Sequence, residues 1–511
     1  MPPQKGMPIR SCRLVPMLAC LLFAAMLAAA RAQELPPSSG TPVPSFGKLP
    51  WADQQKKLGN LPTRQLTGPR ELLNLYSIDD SQLALFSDRQ PLGDQDEETL
   101  VRILYRLPRF GMNDLERWAN PIEAVSTMLA DPDSHRGDVI KLRGRATNVE
   151  RRNLLPEVAE RYEFDHFYTV RVQLDGAANA AVLCVRSVPP SWLERATLDD
   201  PVSAFGLFLK VGAASGDDPD LIFATPHVAW YPKRADAAHG ITNDQVFLAS
   251  LGMDIGLFAD LHHSNRKPLK SGDRECFYQL LATVRSADRE RLRAQAAPAV
   301  ELAPLLQHPE TQHGRLMLVK GTARRVLRVR VDEPDIQDRF GIDHYYQIDV
   351  FVPLGDQVVQ LGKDAGPDSP TFTNNFPVTV CVAELPPDLH ESPDLREDVS
   401  IPAANFKLWA YHSQFVTAYD KHQLQVSPMF IGAMPAVIHY RMALNPYISL
   451  AVAAVFIALL GCGWLVVWRS SRGDSKFKRS VLDRQFEVEP GRSLNDNEIA
   501  ARDKPDFSNL D

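Results

Sequence analysis

The order of apolar and polar positions divides the chain into helical and extended stretches, and the same series occurs twice. Leu100, Ile103, Leu104 and Leu107 recur at i, i+3, i+4 and i+7, which puts four apolar side chains on one helix face. Phe277, Leu280, Leu281 and Val284 repeat that spacing. Each set belongs to a helical lead-in, expected over about Glu71 to Ala130 and again over about Asn243 to Gln307. After the first lead-in, extended patterning predicts five strands at Val139–Val149, Phe167–Leu174, Ala180–Arg186, Val202–Val211 and Leu221–Trp230. Between the third and fourth, Pro189 to Ala196 predicts a short helix, with proline in its first turn.

The duplication can be followed residue by residue. Gly137 and Gly144 match Gly314 and Gly321 at an offset of 177, as do Pro91 with Pro268, Glu98 with Glu275 and Leu104 with Leu281. The offset then becomes 178, pairing Pro156, Arg161, Asp165, His166 and Tyr168 with Pro334, Arg339, Asp343, His344 and Tyr346. An insertion in the second copy, roughly Gly355 to Asn375, moves it to 197, where Cys184 matches Cys381, Pro189-Pro190 matches Pro386-Pro387, and Val202 matches Val399. The matches keep their order and slip only where loops are expected, which is the mark of a tandem repeat.

Each copy therefore reads as a helical lead-in followed by β-β-β-α-β-β. That order resembles the OB-fold, a five-stranded barrel with a helix between strands three and four. Gly144 and Gly321 lie inside the first long strand, where a strand shared by both ends of a barrel must bend. The opening pattern x-G-[DR]-x-[VLI]-x-[LV]-x-G is similar to that of OB-like modules in uncharacterised bacterial extracytoplasmic, membrane-anchored proteins. This resemblance implies a fold and not an activity. Another small antiparallel barrel or sandwich is the alternative. The expected fold class is α+β: two tandem repeats, each a helical lead-in plus a small five-stranded OB-like barrel, and one C-terminal transmembrane helix.

The two ends set the expected location. Lys5, Arg10 and Arg13 precede the uncharged apolar run Leu14 to Ala30, and Ala30-Arg31-Ala32 offers small residues for cleavage, as in a secretory signal. From Tyr447 to Trp468 no residue is charged. At about 1.5 Å per residue that run spans ~33 Å, enough for a hydrocarbon layer of ~30 Å. Arg469, Arg472, Lys476, Lys478 and Arg479 follow it, which places the C-terminus in the cytoplasm. The expected organisation is a signal peptide (1–32), a Pro-rich linker (33–70), repeat 1 (71–240), repeat 2 (241–438), a transmembrane helix (447–468) and a disordered cytoplasmic tail (469–511). The expected topology is that of a single-pass type I protein of the cytoplasmic membrane, with both repeats outside the cytoplasm.

Composition narrows the function. With 56 Lys+Arg against 63 Asp+Glu the net charge is −7, which speaks against a general polyanion binder. Arg143, Arg145, Arg151, Arg152, Arg161 and Arg171 give the first module a local basic bias, and Arg324, Arg325, Arg328 and Arg330 give the second the same. On exposed strands this reads as solvation and edge protection, or as a face for an envelope protein or acidic polysaccharide, and not as a nucleic-acid groove. Cys184, Cys276 and Cys381 permit one disulfide at most, and the matched settings of Cys184 and Cys381 suggest core packing.

The sharpest polar constellation is Arg161, Asp165, His166 and Tyr168 with its twin Arg339, Asp343, His344 and Tyr346. A carboxylate beside an imidazole suits acid–base work or metal ligation. Neighbours on a strand face opposite ways, however, so the expected role is structural or on a ligand face, with Asp closing a loop through its side chain. His262-His263 lacks a third ligand, and the acidic loop Gly212 to Asp220 reads as a hairpin turn and not a Ca²⁺ site. No catalytic residue, metal or cofactor is expected. The expected function is non-enzymatic binding or scaffolding by a membrane-anchored envelope protein; the alternative is an envelope hydrolase using an Asp–His pair.

Overall fold

The computed structural model describes residues 66–122, 125–214, 219–360, 371–413, 416, 424–439 and 453–469. The expected signal, most of the linker and nearly all of the tail lie outside them. The chain divides after Ile438 into two units, and the first contains both repeats.

The architecture is mixed α+β, with two six-stranded sheets in tandem. The first holds β1 (Val139–Asn153), β2 (His166–Leu174), β3 (Ala180–Val185), β4 (Asp200–Ala214), β5 (Pro219–Ala224) and β6 (Ala229–Trp230). Their order is β1-β2-β3-β5-β4-β6, and β1 also pairs with β4, so the pairing of five strands returns to its start. Every pairing in that circuit is antiparallel except β3 with β5.

The second copy has β7 (Leu316–Arg330), β8 (His344–Pro353), the ribbon β9 (Val359–Gln360) and β10 (Thr371–Phe372), then β11 (Asn375–Val382), β12 (Glu397–Tyr411), β13 (Gln425–Gly432) and β14 (Ala436–Val437). Its sheet repeats the circuit, with β11 and β13 parallel and β12 closing on both β7 and β13. The insertion adds the ribbon; residues 361–370 lie outside the described ones.

Two expectations need correction. The stretch Leu221–Trp230 is not one strand. It breaks after Ala224 because Pro226 supplies no N–H and the Thr225 hydroxyl donates to the His227 carbonyl at 2.8 Å. The helix Pro190–Glu194 of the first copy has no counterpart in the second, where Pro393 disfavours helix at Ser392. Ser392 instead exchanges two backbone bonds with Val326 of β7, at 2.9 and 3.0 Å.

Why β1 and β7 serve two partners is visible at their glycines. Gly144 faces both Leu174 of β2 and Val202 of β4. A Cβ there would lie 2.1 Å from the Gln173 carbonyl oxygen, and at Gly321 it would lie 2.3 Å from that of Phe351. Only glycine lets the crossing strands approach so closely. A bulge follows at the same distance in each copy, between Ala146 and Asn148 and between Ala323 and Arg325.

The lead-in faces are as the periodicity predicts. Leu100, Ile103, Leu104 and Leu107 of the Asp94–Arg106 helix and its continuation are buried, as are Phe277, Leu280, Leu281 and Val284 of the Arg274–Ser286 helix. Each set covers the outer face of its own sheet, the first over Val139, Cys184 and Leu207, the second alongside Cys381, Phe406 and Met429. Cys184, Cys276 and Cys381 are all free and buried, and burial pushes the Cys184 thiol up to about 12.

The copies do not have separate interiors throughout. The inner residues Ile140, Leu142, Val170 and Leu183 of the first sheet belong to one apolar cluster with Met253, Ile255, Phe258 and Phe277 from the second lead-in. The interior of the second sheet, including Ile348, Val350, Val380 and Phe430, is a cluster of its own. Asp254 pins the junction. Its Oδ1 accepts from Trp230 N at 2.8 Å and Gly256 N at 2.9 Å, and His227 Nε2 donates to its Oδ2. Ile255 N also donates to the Trp230 carbonyl at 3.0 Å.

In the second unit, residues 453–469 are helical. No helix among the described residues is long and apolar enough to cross a membrane. Residues 447–452 of the expected span lie outside the described ones.

Candidate functional site

Asp165 and Asp343 each end a loop one residue before β2 and β8. Both loops close through the backbone and not through the carboxylate as expected. Leu154 N donates to the Asp165 carbonyl at 2.8 Å, and Val331 N to that of Asp343 at 2.9 Å. The carboxylates are thereby free to turn back on the next residue. His166 Nδ1 donates to Asp165 Oδ1 at 2.5 Å, and His344 Nδ1 to Asp343 Oδ1 at 2.6 Å. The expected splaying of Asp and His therefore does not occur, because Asp precedes the strand and does not share its alternation.

The Tyr168 hydroxyl lies 3.1 Å from Nε2 of His166. The rings of His344 and Tyr346 repeat the edge-on packing of His166 and Tyr168, at 5.3 Å and 5.1 Å between centroids. The Asp165 side chain is 72% exposed and that of Asp343 76%. The bond from the neighbouring imidazole holds both carboxyls below the usual range. The remaining members of the constellation are structural ties. Arg339 grips Glu275 through Nη1 and Nη2, and Arg161 meets Glu98, the matched residue, at 3.5 Å. Each links the loop helix to its lead-in.

Most of the arginines that bias the strands basic are neutralised by carboxylates. Arg145 pairs with Asp199, Arg152 with Glu150, Arg171 with Asp220 and Arg325 with Asp349. His262 and His263 sit in a short 3-10 turn, and the ring of His262 stacks on His313 at 5.3 Å. Among the described residues no group of three His, Cys, Asp or Glu side chains is placed to hold a metal. Residues 215–218 of the acidic loop lie outside them.

A second duplicated polar centre escaped the sequence reading. Lys210 on β4 reaches Asp96 at 2.6 Å, and Lys407 on β12 reaches Asp273 at 2.9 Å. Both lysine side chains are 0% exposed. Each aspartate also accepts from the backbone at the start of its lead-in helix, from Gly93 N at 3.1 Å and Lys270 N at 3.0 Å. The offsets of 177 and 197 that align the glycines and cysteines align these residues too. A lysine within Leu207-Phe-Leu-Lys210-Val was the available signal.

Immediately before each lysine the strand bulges, and the carbonyl at the bulge is captured by a buried side chain. Arg136 Nη1 donates to the Leu209 carbonyl at 2.9 Å, and His313 Nδ1 donates to that of Phe406 at 2.6 Å. Behind them stand matched partners: Asp88 bonds Arg136 and Val211 N, whereas Asn265 bonds His313 Nε2 and Leu408 N. A charged pair in one copy is thus a neutral pair in the other. Burial pushes His313 down to about 4. Its folded value is below the unfolded one of about 6.5, so its contribution to stability is complete above pH ~6.5 and is lost as pH falls toward 4. Equilibrium denaturation at pH 7 and pH 4.5 should show a loss on the order of 2–3 kcal/mol that disappears in His313→Gln.

No family profile matches the chain, and none of the curated proteins compared matches it. Among solved structures, an aspartyl-tRNA synthetase from Entamoeba histolytica is 10% identical over 43% of this chain and 48% of that one, with a TM-score of 0.12. A putative aspartyl-tRNA synthetase from Leishmania major Friedlin is 10% identical over 46% and 47%, with a TM-score of 0.14. Fission yeast Pot1 with ssDNA is 11% identical over 60% and 80%, with a TM-score of 0.14. The matches cover about half the length of the two synthetases. At these TM-scores the likenesses carry no argument.

Proposed function

We propose that this is a membrane-anchored envelope protein whose tandem modules bind or scaffold a partner outside the cytoplasm without catalysing a reaction. In this reading each sheet is a small OB-like barrel. The circuit of pairings and the single parallel contact in each copy support it. Residues 453–469 are the described part of the anchor; Phe456, Ile457 and Trp464 are 63%, 68% and 67% exposed, as lipid-facing residues would be.

The observation that carries the non-enzymatic reading is the exposure of both Asp–His pairs. Each carboxylate is solvated and held ionised by its imidazole. An acid or base of catalysis is instead desolvated or charge-tuned toward the working pH. The Tyr168 hydroxyl, within reach of His166 Nε2, belongs to a buried side chain, which does not suit a nucleophile open to substrate.

The test uses membranes carrying the full chain. Alkaline carbonate should leave the protein in the membrane pellet, and the set of envelope partners cross-linked to it should be the same for the double variant His166→Gln/His344→Gln. Release by carbonate would overturn the anchor. A hydrolytic activity abolished in the double variant, with its unfolding midpoint unchanged, would overturn the binding role.

A further inference from the structure

Features present in both copies answer to the fold, so a costly feature present in only one calls for another explanation. Arg106, at the end of the first lead-in helix, is such a feature. Its guanidinium lies over two tyrosine rings, 5.0 Å from the centroid of Tyr76 and 4.9 Å from that of Tyr105. Arg109 covers the Tyr105 ring as well, at 5.7 Å. Phe110 and Tyr162 brace the tyrosines, at 6.4 Å and 5.7 Å between centroids. Arg106 Nε is buried and meets no hydrogen-bond partner among the described residues. Nearby Arg102 and Arg161 both find Glu98, whereas among the described residues Arg106 and Arg109 have no carboxylate within ion-pair reach. The positions that match Tyr105, Arg106 and Arg109 at offset 177 are Ala282, Thr283 and Ser286. The second copy folds without the cluster.

We infer that the Tyr76–Tyr105–Arg106–Arg109 surface is a docking site for an acidic segment of a partner protein, with Arg106 receiving a carboxylate. A partly desolvated guanidinium with no counter-charge is a cost that an incoming anion would offset. The tyrosines hold its plane in place, so little freedom remains to be lost on binding. The choice of a peptide over a sugar chain follows from which surfaces are open. Guanidinium groups already cover the tyrosine faces on which a sugar ring would stack, and the donor edge of Arg106 suits a carboxylate. The chain uses the same match internally, where Arg339 takes Glu275 with two nitrogens. This surface lies on the helical layer and not on the Asp–His pairs, so the proposal stands apart from the roles of those pairs.

The test is fluorescence anisotropy of a labelled oligoglutamate peptide with the full chain in detergent. Oligoglutamine and an oligogalacturonate serve as comparison probes. Oligoglutamate should bind, more weakly as salt rises, and Arg106→Gln should weaken it about tenfold. Arg293→Gln, at an exposed arginine of the Arg289–Gln295 helix, should leave binding unchanged. Arg106→Lys keeps the charge and should also weaken binding, and it replaces the glutamine variant if that one fails to fold. Equal affinities for the Arg106 and Arg293 variants, or tighter binding of oligogalacturonate than of oligoglutamate, would overturn the proposal.

Discussion

Gly144→Ala is expected to destabilise the chain by about 3 kcal/mol or more, read as a shift of the denaturation midpoint at unchanged slope. The added Cβ would lie 2.1 Å from a backbone oxygen and 2.8 Å from a Val172 methyl. A side chain could turn aside from such a contact, but the Gln173 carbonyl is held in the ladder between β1 and β2, so the strands themselves must separate. That would open the circuit at the residue where β1 faces two partners. Gly321→Ala should do the same in the second copy, where the approach is 2.3 Å. A loss below about 1 kcal/mol for both would show that the crossing is looser than described.

The second large effect is expected at Asp273. Asp273→Asn should cost about 3–5 kcal/mol at pH 7, because it leaves the Lys407 ammonium buried without its counter-charge. Burial already holds Lys407 below the usual lysine range, and removing the carboxylate lowers it further. The unfolded lysine then binds a proton over a range where the folded one does not, so stability of the variant should rise with pH toward ~10.4. Denaturation at pH 7 and pH 9.5 checks the sign. Adding Lys407→Met should restore much of the loss, since a buried ion pair is often replaced by apolar packing at little cost. A double variant no more stable than Asp273→Asn would assign the effect to lost helix capping.

The repeat was legible because glycines, prolines and cysteines are identifiable residues whose spacing survives divergence. The lead-in faces were legible because Leu100 to Leu107 keep helical spacing. The split of Leu221–Trp230 was missed because apolar patterning runs through Pro226, and the missing N–H acts only at the ladder. Asp165 and His166 were misplaced for a related reason. Strand alternation begins only at His166, and a loop residue such as Asp165 can turn where a strand residue cannot. The buried Lys–Asp pairs were hidden because their partners are more than 100 residues apart in the chain, at 114 and 134. Only the closing of the sheet brings a strand lysine to the start of a helix. The arginine sandwich, likewise, depends on three elements meeting.

The shared apolar cluster fixes the order in which structure is lost on unfolding. Because the first sheet's inner residues share one apolar cluster with Met253, Ile255 and Phe258 of the second lead-in, loosening of that segment admits water beside a sheet that precedes it in the sequence. The second sheet meets that cluster only on its outer side, through Cys381, Phe406 and Met429, while its inner cluster involves no first-copy residue. Amide protons on the inner side of the leading sheet can therefore be no better shielded from exchange than the trailing segment allows.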